Sequence, residues 1–232
     1  MTLRDELHAY VKRTHDDKWQ ERAGQKVPVL ADLKFSTDAV NLDATVLYAD
    51  LTDSTSLVAK NPNWLAAEVY KNYLYCAAKI IRSNDGAITA YDGDRVMAVF
   101  IGTNKNTNAV DTALKIQWSV NNVLQPAFDK KYSGRYSYKY KQKVGIDSSE
   151  LLVAKTGFRG ADELVWVGNA ANRAAKLAAL NRGSHTYISK SVYDVMHKSV
   201  RVGGTPEQNM WEDLGTSDLG FRVYGSTWRR SL

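Results

Sequence analysis

Two short stretches of this chain carry side chains that could do chemistry. In ATVLYADLTDST, residues 44–55, an apolar run ends on Asp50 and Asp53, with Thr52, Ser54 and Thr55 around them. In AYDGDRVMAVF, residues 90–100, Asp92-Gly93 separates two strand-forming runs and Asp94 opens the second. Asp-Gly between such runs signals a tight hairpin. Two aspartates brought within a few ångströms repel each other, so one must hold a proton or a cation must sit between them. Oxygen ligands alone favour a hard ion, Mg²⁺ or Mn²⁺, over zinc. The main-chain N–H groups of the loop Leu51–Thr55, leading toward a helix, could cradle a phosphate. The alternative at each Asp is an ordinary turn cap.

A third stretch, VWVGNAANRAAKLAAL, places Asn172 and Lys176 four residues apart on one helix face. An amide beside an ammonium suits a sugar oxygen and a phosphate; a solvated helix face is the plainer alternative. No phosphate-binding P-loop, nucleophile elbow or HExxH zinc motif occurs, and His8, His15, His185 and His197 show no clustered ligand spacing.

Periodicity supplies the elements that must position these groups. Residues 1–23 read as an amphipathic helix, with Leu3, Leu7, Tyr10, Val11 and Thr14 on one face and Thr2 as N-cap, packing on this domain or on a second copy. Residues 24–43 read as a connector, so the division is 1–43 for helix and connector and 44–232 for the main domain. Strand one spans 44–50, a helix 62–82, strands two and three 88–91 and 95–100, and a second helix 107–128. Strand four ends in QKVGID, an acid-containing loop follows, and ELVWVG leads into a third helix, 169–181. The expectation is an α+β, ferredoxin-like split βαβ domain with an antiparallel sheet core and helices on one face. In that topology strands one and three are neighbours, so Asp50 and Asp94 should meet.

With 232 residues, 44% hydrophobic and 24% charged, the composition is that of a soluble globular protein. One cysteine, Cys76 on an inward helix stripe, precludes an internal disulfide and suits a reducing compartment. No run reaches membrane-spanning length and the charged N-terminus is unlike a signal peptide, so the expected location is the cytoplasm. The net charge of +6 favours anionic partners. Residues 129–143 hold six Lys and Arg against one Asp, with Tyr136, Tyr138 and Tyr140 alternating. They read as a hairpin arm with a packed Tyr face and a wet Lys face, in preference to a nucleic-acid surface.

From about Asp43 to Asp194 the ordered motifs VLYADLTDSTSL, AYDGDRVMAVF, VGIDSSELLVAKTG and VWVGNAANRAAKLAAL resemble the class III nucleotide cyclases. The resemblance implies a head-to-tail homodimer with composite sites. Asp50, the Leu51 carbonyl and Asp94 of one chain would bind two Mn²⁺ or Mg²⁺ ions. Asp53, Ser54 and Thr55 would meet the triphosphate, and Asn172 and Lys176 of the partner's helix the ribose and phosphates. Lys176 stands where the family usually has Arg, Ser54 where it has an aromatic, and Ala90 and Val165 where purine cyclases carry base-reading polar pairs. The tail, 200–232, has no clear copy of the family's triphosphate lysine segment. Tyr48 in place of Phe and Arg95 in place of a small residue resemble the pyrimidine cyclases of bacterial Pycsar antiphage defence. That likeness implies UTP as substrate, with CTP behind it, and a separate cyclic-nucleotide-binding effector; the alternatives are an ordinary adenylate or guanylate cyclase and a degenerate cyclase domain serving as a nucleotide-binding sensor. For Arg95 a salt bridge at the hairpin tip is an equal alternative.

Overall fold

The computed structural model describes residues 1–158, 160–216 and 218–232. Helix α1, Leu3–Asp16, opens on Thr2, whose hydroxyl accepts from the Asp5 amide while the Asp5 carboxylate accepts from the Thr2 amide. This capping box satisfies two otherwise orphaned donors. The helix stops at Asp16, short of the expected residue 23, because the chain turns extended at Asp17 and forms β1, Gln20–Ala23. β1 runs parallel to the start of β2, Asp38–Leu51. Strand one therefore starts within the expected connector, with Ala39, Val40 and Leu42 buried, and residue 44 falls inside it. None of α1 is buried: Leu3, Leu7, Tyr10 and Val11 all remain exposed.

After β2 come α2, Ser54–Lys60, and α3, Asn63–Ser83. The hairpin is β3, Ala87–Asp92, and β4, Arg95–Ile101, with Gly93 at φ +60° in the turn. That left-handed conformation is why a glycine stands there; the turn itself is Gly93-Asp94, since Asp92 still pairs with Arg95. The second helix is a continuous rod of α4, Lys105–Ser119, a π-helical turn, Val120–Leu124, and α5, Gln125–Tyr132. Then follow β5, Gln142–Phe158, β6, Ala161–Val167, α6, Asn169–Ala178, β7, Thr186–Ser189, and α7, Lys190–Val195. The C-terminal part adds a small ladder of β8, Val202–Gly203, and β9, Gln208–Asn209, then β10, Glu212–Thr216, and β11, Arg222–Ser226.

The main sheet runs β10-β11-β7-β5-β2-β4-β3, with β1 attached to β2 and β6 to β5. Its β5-β2-β4-β3 portion is antiparallel and has the expected split βαβ order. Alternate residues of β2 serve two cores. Leu47, Ala49 and Leu51 join Leu65, Tyr73 and Ile81 of α3 and Leu114 of α4 on one face. Val40, Leu42, Ala44 and Val46 join Ala170, Ala171 and Ala174 of α6 on the other. The helix that carries Asn172 and Lys176 thus departs from the one-sided layering of α3 and α4.

The loop expected after QKVGID does not form, since β5 runs on through Ser148, Ser149 and Glu150 to Phe158. Those polar residues are used inside the sheet. Thr45 donates to Ser148 at 3.2 Å, and Ser149 accepts from the Ala170 amide at 2.9 Å, capping the entry to α6. The expected Tyr-rich hairpin arm is absent too. Gln125 accepts from the Tyr140 amide at 2.7 Å and donates to the Tyr138 carbonyl at 3.0 Å, taking the place of a strand partner. Tyr132, Tyr138 and Tyr140 are buried around Phe128, and Lys130, Lys131, Lys139 and Lys141 are exposed, in line with the packed-face reading, while Lys143 is half-buried.

Gly145 of β5 sets how closely α6 approaches. A Cβ there would lie 2.1 Å from the Ala174 carbonyl oxygen and 2.4 Å from the Ala178 amide nitrogen. Backbone cannot yield as a flexible side chain can, so Gly145→Ala must lift the helix. The expected cost is about 1–3 kcal/mol or more, read as a lowered denaturant midpoint at unchanged slope. A midpoint within error of the parent would contradict this close approach.

Candidate active site

The strand register assembles the site. On β2, Asp50 stands opposite Arg95 of β4 on one side and Lys143 of β5 on the other. Asp94, immediately before Arg95, follows the hairpin turn. Burial first, then the charge of Asp94, pushes the Asp50 carboxyl up to about 6, against the opposing effect of Arg95. The Oδ2 atom of Asp94 is buried without a hydrogen-bond partner. An orphaned carboxylate oxygen beside a destabilised carboxylate fits a hard divalent cation. Among the described residues no group of three or more His, Cys, Asp or Glu side chains adds to this pair. Leu51 buries its side chain in the core, so only its main chain can serve the pair.

The electrostatics make a prediction. A carboxyl whose folded pKa is raised stabilises the fold fully below its unfolded value, and this contribution is lost as pH rises through the folded value. For Asp50 that window runs from 3.8 to about 6. Metal-free protein should therefore lose thermal stability at this site between about pH 4 and pH 7, and Mn²⁺ should restore it at the upper end only. Asp50→Asn should remove both responses in melting curves. An unchanged pH slope in that variant would show that the strain lies elsewhere.

Tyr48 and Arg95 lie together. The Arg95 guanidinium lies 5.5 Å from the centroid of the half-buried Tyr48 ring, and its Nη2 donates to Asp92 at 2.5 Å. The hairpin-tip salt bridge and the contact with Tyr48 thus coexist, and Asp92 orients the guanidinium. Arg95 Nε is buried without a partner. Burial raises the Tyr48 hydroxyl above its usual range, so it stays protonated and able to donate.

The expected phosphate residues are placed differently from one another. Asp53 adopts a left-handed conformation, φ +63°, at the head of α2; it makes no side-chain cap there and pairs with Lys141 at 3.2 Å. Ser54 is half-buried beside Tyr70, and Thr55 is exposed. The main-chain N–H groups of the first α2 turn are consequently the free donors at this point. Asn172 and Lys176 are exposed on α6, with no hydrogen bond or ion pair to the carboxylate pair among the described residues. The helix is fixed from beneath: Arg173 stacks over Phe221 at 4.7 Å and lies 3.8 Å from fully buried Asp147, which accepts from Ser189 and Ser191. Of the positions that read purines in the resembling family, Ala90 pairs with Met97 and Val165 with Ala154.

Lys143 was not singled out from the sequence, where it is one of several cations in a basic run. Only the register places it beside Asp50. Burial lowers its pKa, and its ammonium donates to Asn181 at 3.0 Å.

The same architecture occurs in known proteins. An adenylyl cyclase from P. aeruginosa, CyaB, superposes with a TM-score of 0.70 at 21% identity, over 84% of this chain and 98% of that one. The guanylyl cyclase Cya2 gives 0.67 at 17% identity, over 82% and 94%. No protein-family model matches the chain. Full-length relatives are curated uridylate cyclases. That of Xanthomonas perforans is 44% identical over 99% of this chain and 98% of its own length. That of Burkholderia cepacia is 42% identical over 99% of both. The fold is that of a class III nucleotide cyclase, and the relatives make the chain a nucleotide cyclase, a phosphorus–oxygen lyase. Within that class, the chain belongs to the uridylate cyclase family.

Proposed function

We propose that the protein converts UTP to 3′,5′-cyclic UMP and pyrophosphate. The observation that carries the choice of base is Arg95 stacked over Tyr48, in register with Asp50. A guanidinium donor suits the carbonyl-rich edge of uracil, and a protonated phenol adds a second polar contact on the pocket wall. Ala90 and Val165 supply no polar pair for a purine edge.

In this reading Asp50 and Asp94, with the Leu51 carbonyl, would hold two divalent cations, Mn²⁺ or Mg²⁺. The bound ions would lower the pKa of the 3′-hydroxyl and neutralise charge at the α-phosphate. The chain's own residues do the rest. N–H groups at Asp53, Ser54 and Thr55 and the ammonium of Lys143 steady the β- and γ-phosphates. The 3′-oxygen bonds to the α-phosphorus as the bond to the bridging oxygen breaks, and pyrophosphate leaves with that electron pair. Asn172 orients the ribose and Lys176 meets the charge that develops on the phosphate. Both are exposed and make no hydrogen bond or ion pair to the carboxylates of their own chain among the described residues, which supports a head-to-tail homodimer with each site shared between two chains. The uncovered apolar stripe of α1 supports pairing with a second copy as well. The product would serve in the cytoplasm as a signal to a separate cyclic-nucleotide-binding effector in antiphage defence. No helix among the described residues is long and apolar enough to cross a membrane.

The decisive experiment supplies each of the four ribonucleoside triphosphates with Mn²⁺ and identifies the products. Cyclic UMP should dominate; cyclic AMP as the main product would defeat the reading. Tyr48→Phe should narrow the preference for UTP over ATP by about three- to tenfold, the worth of one hydrogen bond, and alter the maximal rate less. An unchanged product ratio would remove the hydroxyl as a reader.

A further inference from the structure

A second concavity opens beside the carboxylate pair. It is a cleft of about 530 Å³ between α2 and residues 135–141, walled by Lys60, Arg135, Lys139 and Lys141 with Asp53 at its rim. That volume lies inside the range of roughly 300–1,000 Å³ typical of small-ligand sites. Its charges do not balance. Lys141 pairs with Asp53 at 3.2 Å and Lys139 with Asp129 at 3.1 Å. Lys60 and Arg135 are exposed and have no acidic partner among the described residues. Cations gathered on one concave wall repel one another and raise the local concentration of anions.

The floor narrows the kind of anion. Tyr138 is buried edge-on against Phe128 and Tyr140, and Tyr136 is edge-on to Trp64. These rings are committed to an aromatic cluster, so the cleft lacks the stacking platform on which a nucleic-acid base would settle. Recognition there rests on charge. The cleft also adjoins the reacting centre: Asp53 heads the turn that follows Asp50 and Leu51, and the Tyr138 hydroxyl, buried without a partner, lies within electrostatic reach of Asp94 and Asp53.

We propose that this cleft is the basin that receives the pyrophosphate leaving group, held by Lys60, Arg135, Lys139 and Lys141. A compact, strongly negative ion with no aromatic part matches a wall of cations over a closed floor. It departs on the side of α2, away from the base pocket at Tyr48 and Arg95. The identity of the ligand rests on the cyclase reading; the existence of the site does not.

The test is a calorimetric titration of the full chain with sodium pyrophosphate in metal-free buffer, where the carboxylate pair cannot capture the ion through a metal. Lys60→Gln/Arg135→Gln should weaken binding by about tenfold, with the difference shrinking as salt is raised. The charge-matched control Lys79→Gln/Arg82→Gln, two exposed residues of α3, should bind as the parent does. Equal weakening in both double variants would reduce the effect to net charge, and no weakening in the first would empty the cleft of its ligand; either result overturns the proposal. No nucleotide or turnover is needed. Cyclic UMP formation with an unaltered titration would therefore sink the basin alone, whereas Lys60- and Arg135-dependent pyrophosphate binding without a cyclic product would sink the cyclase reading alone.

Discussion

Asp94→Asn is expected to lower cyclic nucleotide formation at least about a thousandfold, roughly 4 kcal/mol at 1.36 kcal/mol per decade. Asn keeps the shape of the side chain and removes its charge, so the proposed metal ligand goes while the hairpin turn stays. The parent already holds the buried Asp94 Oδ2 without a hydrogen-bond partner, so the fold does not depend on a contact made there. Thermal stability without metal should accordingly stay level or rise, because repulsion with Asp50 is relieved. Steady-state rates and melting curves on one preparation separate the two effects. Activity within tenfold of the parent would remove Asp94 from the site, and a collapsed fold would assign it a structural role instead.

The second large effect is a rescue. Asp50→Asn disables the carboxylate half of the site and Asn172→Ala the helix half, and each alone should be nearly inactive. If each site draws on two chains, a mixture of the two variants forms dimers in which one site has lost both halves and the other is intact. Random pairing makes half of the dimers mixed, each with one working site of two, so activity should return to about a quarter of the parent's. Co-expression followed by a cyclic UMP assay measures this. A mixture no more active than its components would mean that each site is built within a single chain.

Much of the site could be read from the sequence because local signals and topology agreed there. Asp92-Gly93 fixed the hairpin, the apolar run into Asp50 fixed the neighbouring strand, and split βαβ order brought the two acids together. The parts that escaped depend on distant partners. Ser148, Ser149 and Glu150 look like a loop until Thr45, Ala44 and Asp43 of β2 are seen to pair with them. Residues 136–140 alternate like a strand, yet the side chain of Gln125 bonds their backbone, and no local pattern announces that. Lys143 is one cation among six in its run until the register sets it beside Asp50. The basic cleft escaped for a similar reason, since Lys60 and Arg135 share a wall only after α2 and the Tyr-rich segment fold together.

The glycine beneath α6 has a consequence for control. A helix bearing on the sheet through alanines, at a point where even a methyl group does not fit, has no slack in which to tilt or slide. Asn172 and Lys176 are thus mounted as on a fixed bracket, and no small adjustment within one chain can throttle them. Where each site is shared between two chains, as proposed, what remains adjustable is whether they meet and at what angle, which makes encounter, rather than flexing, the natural throttle.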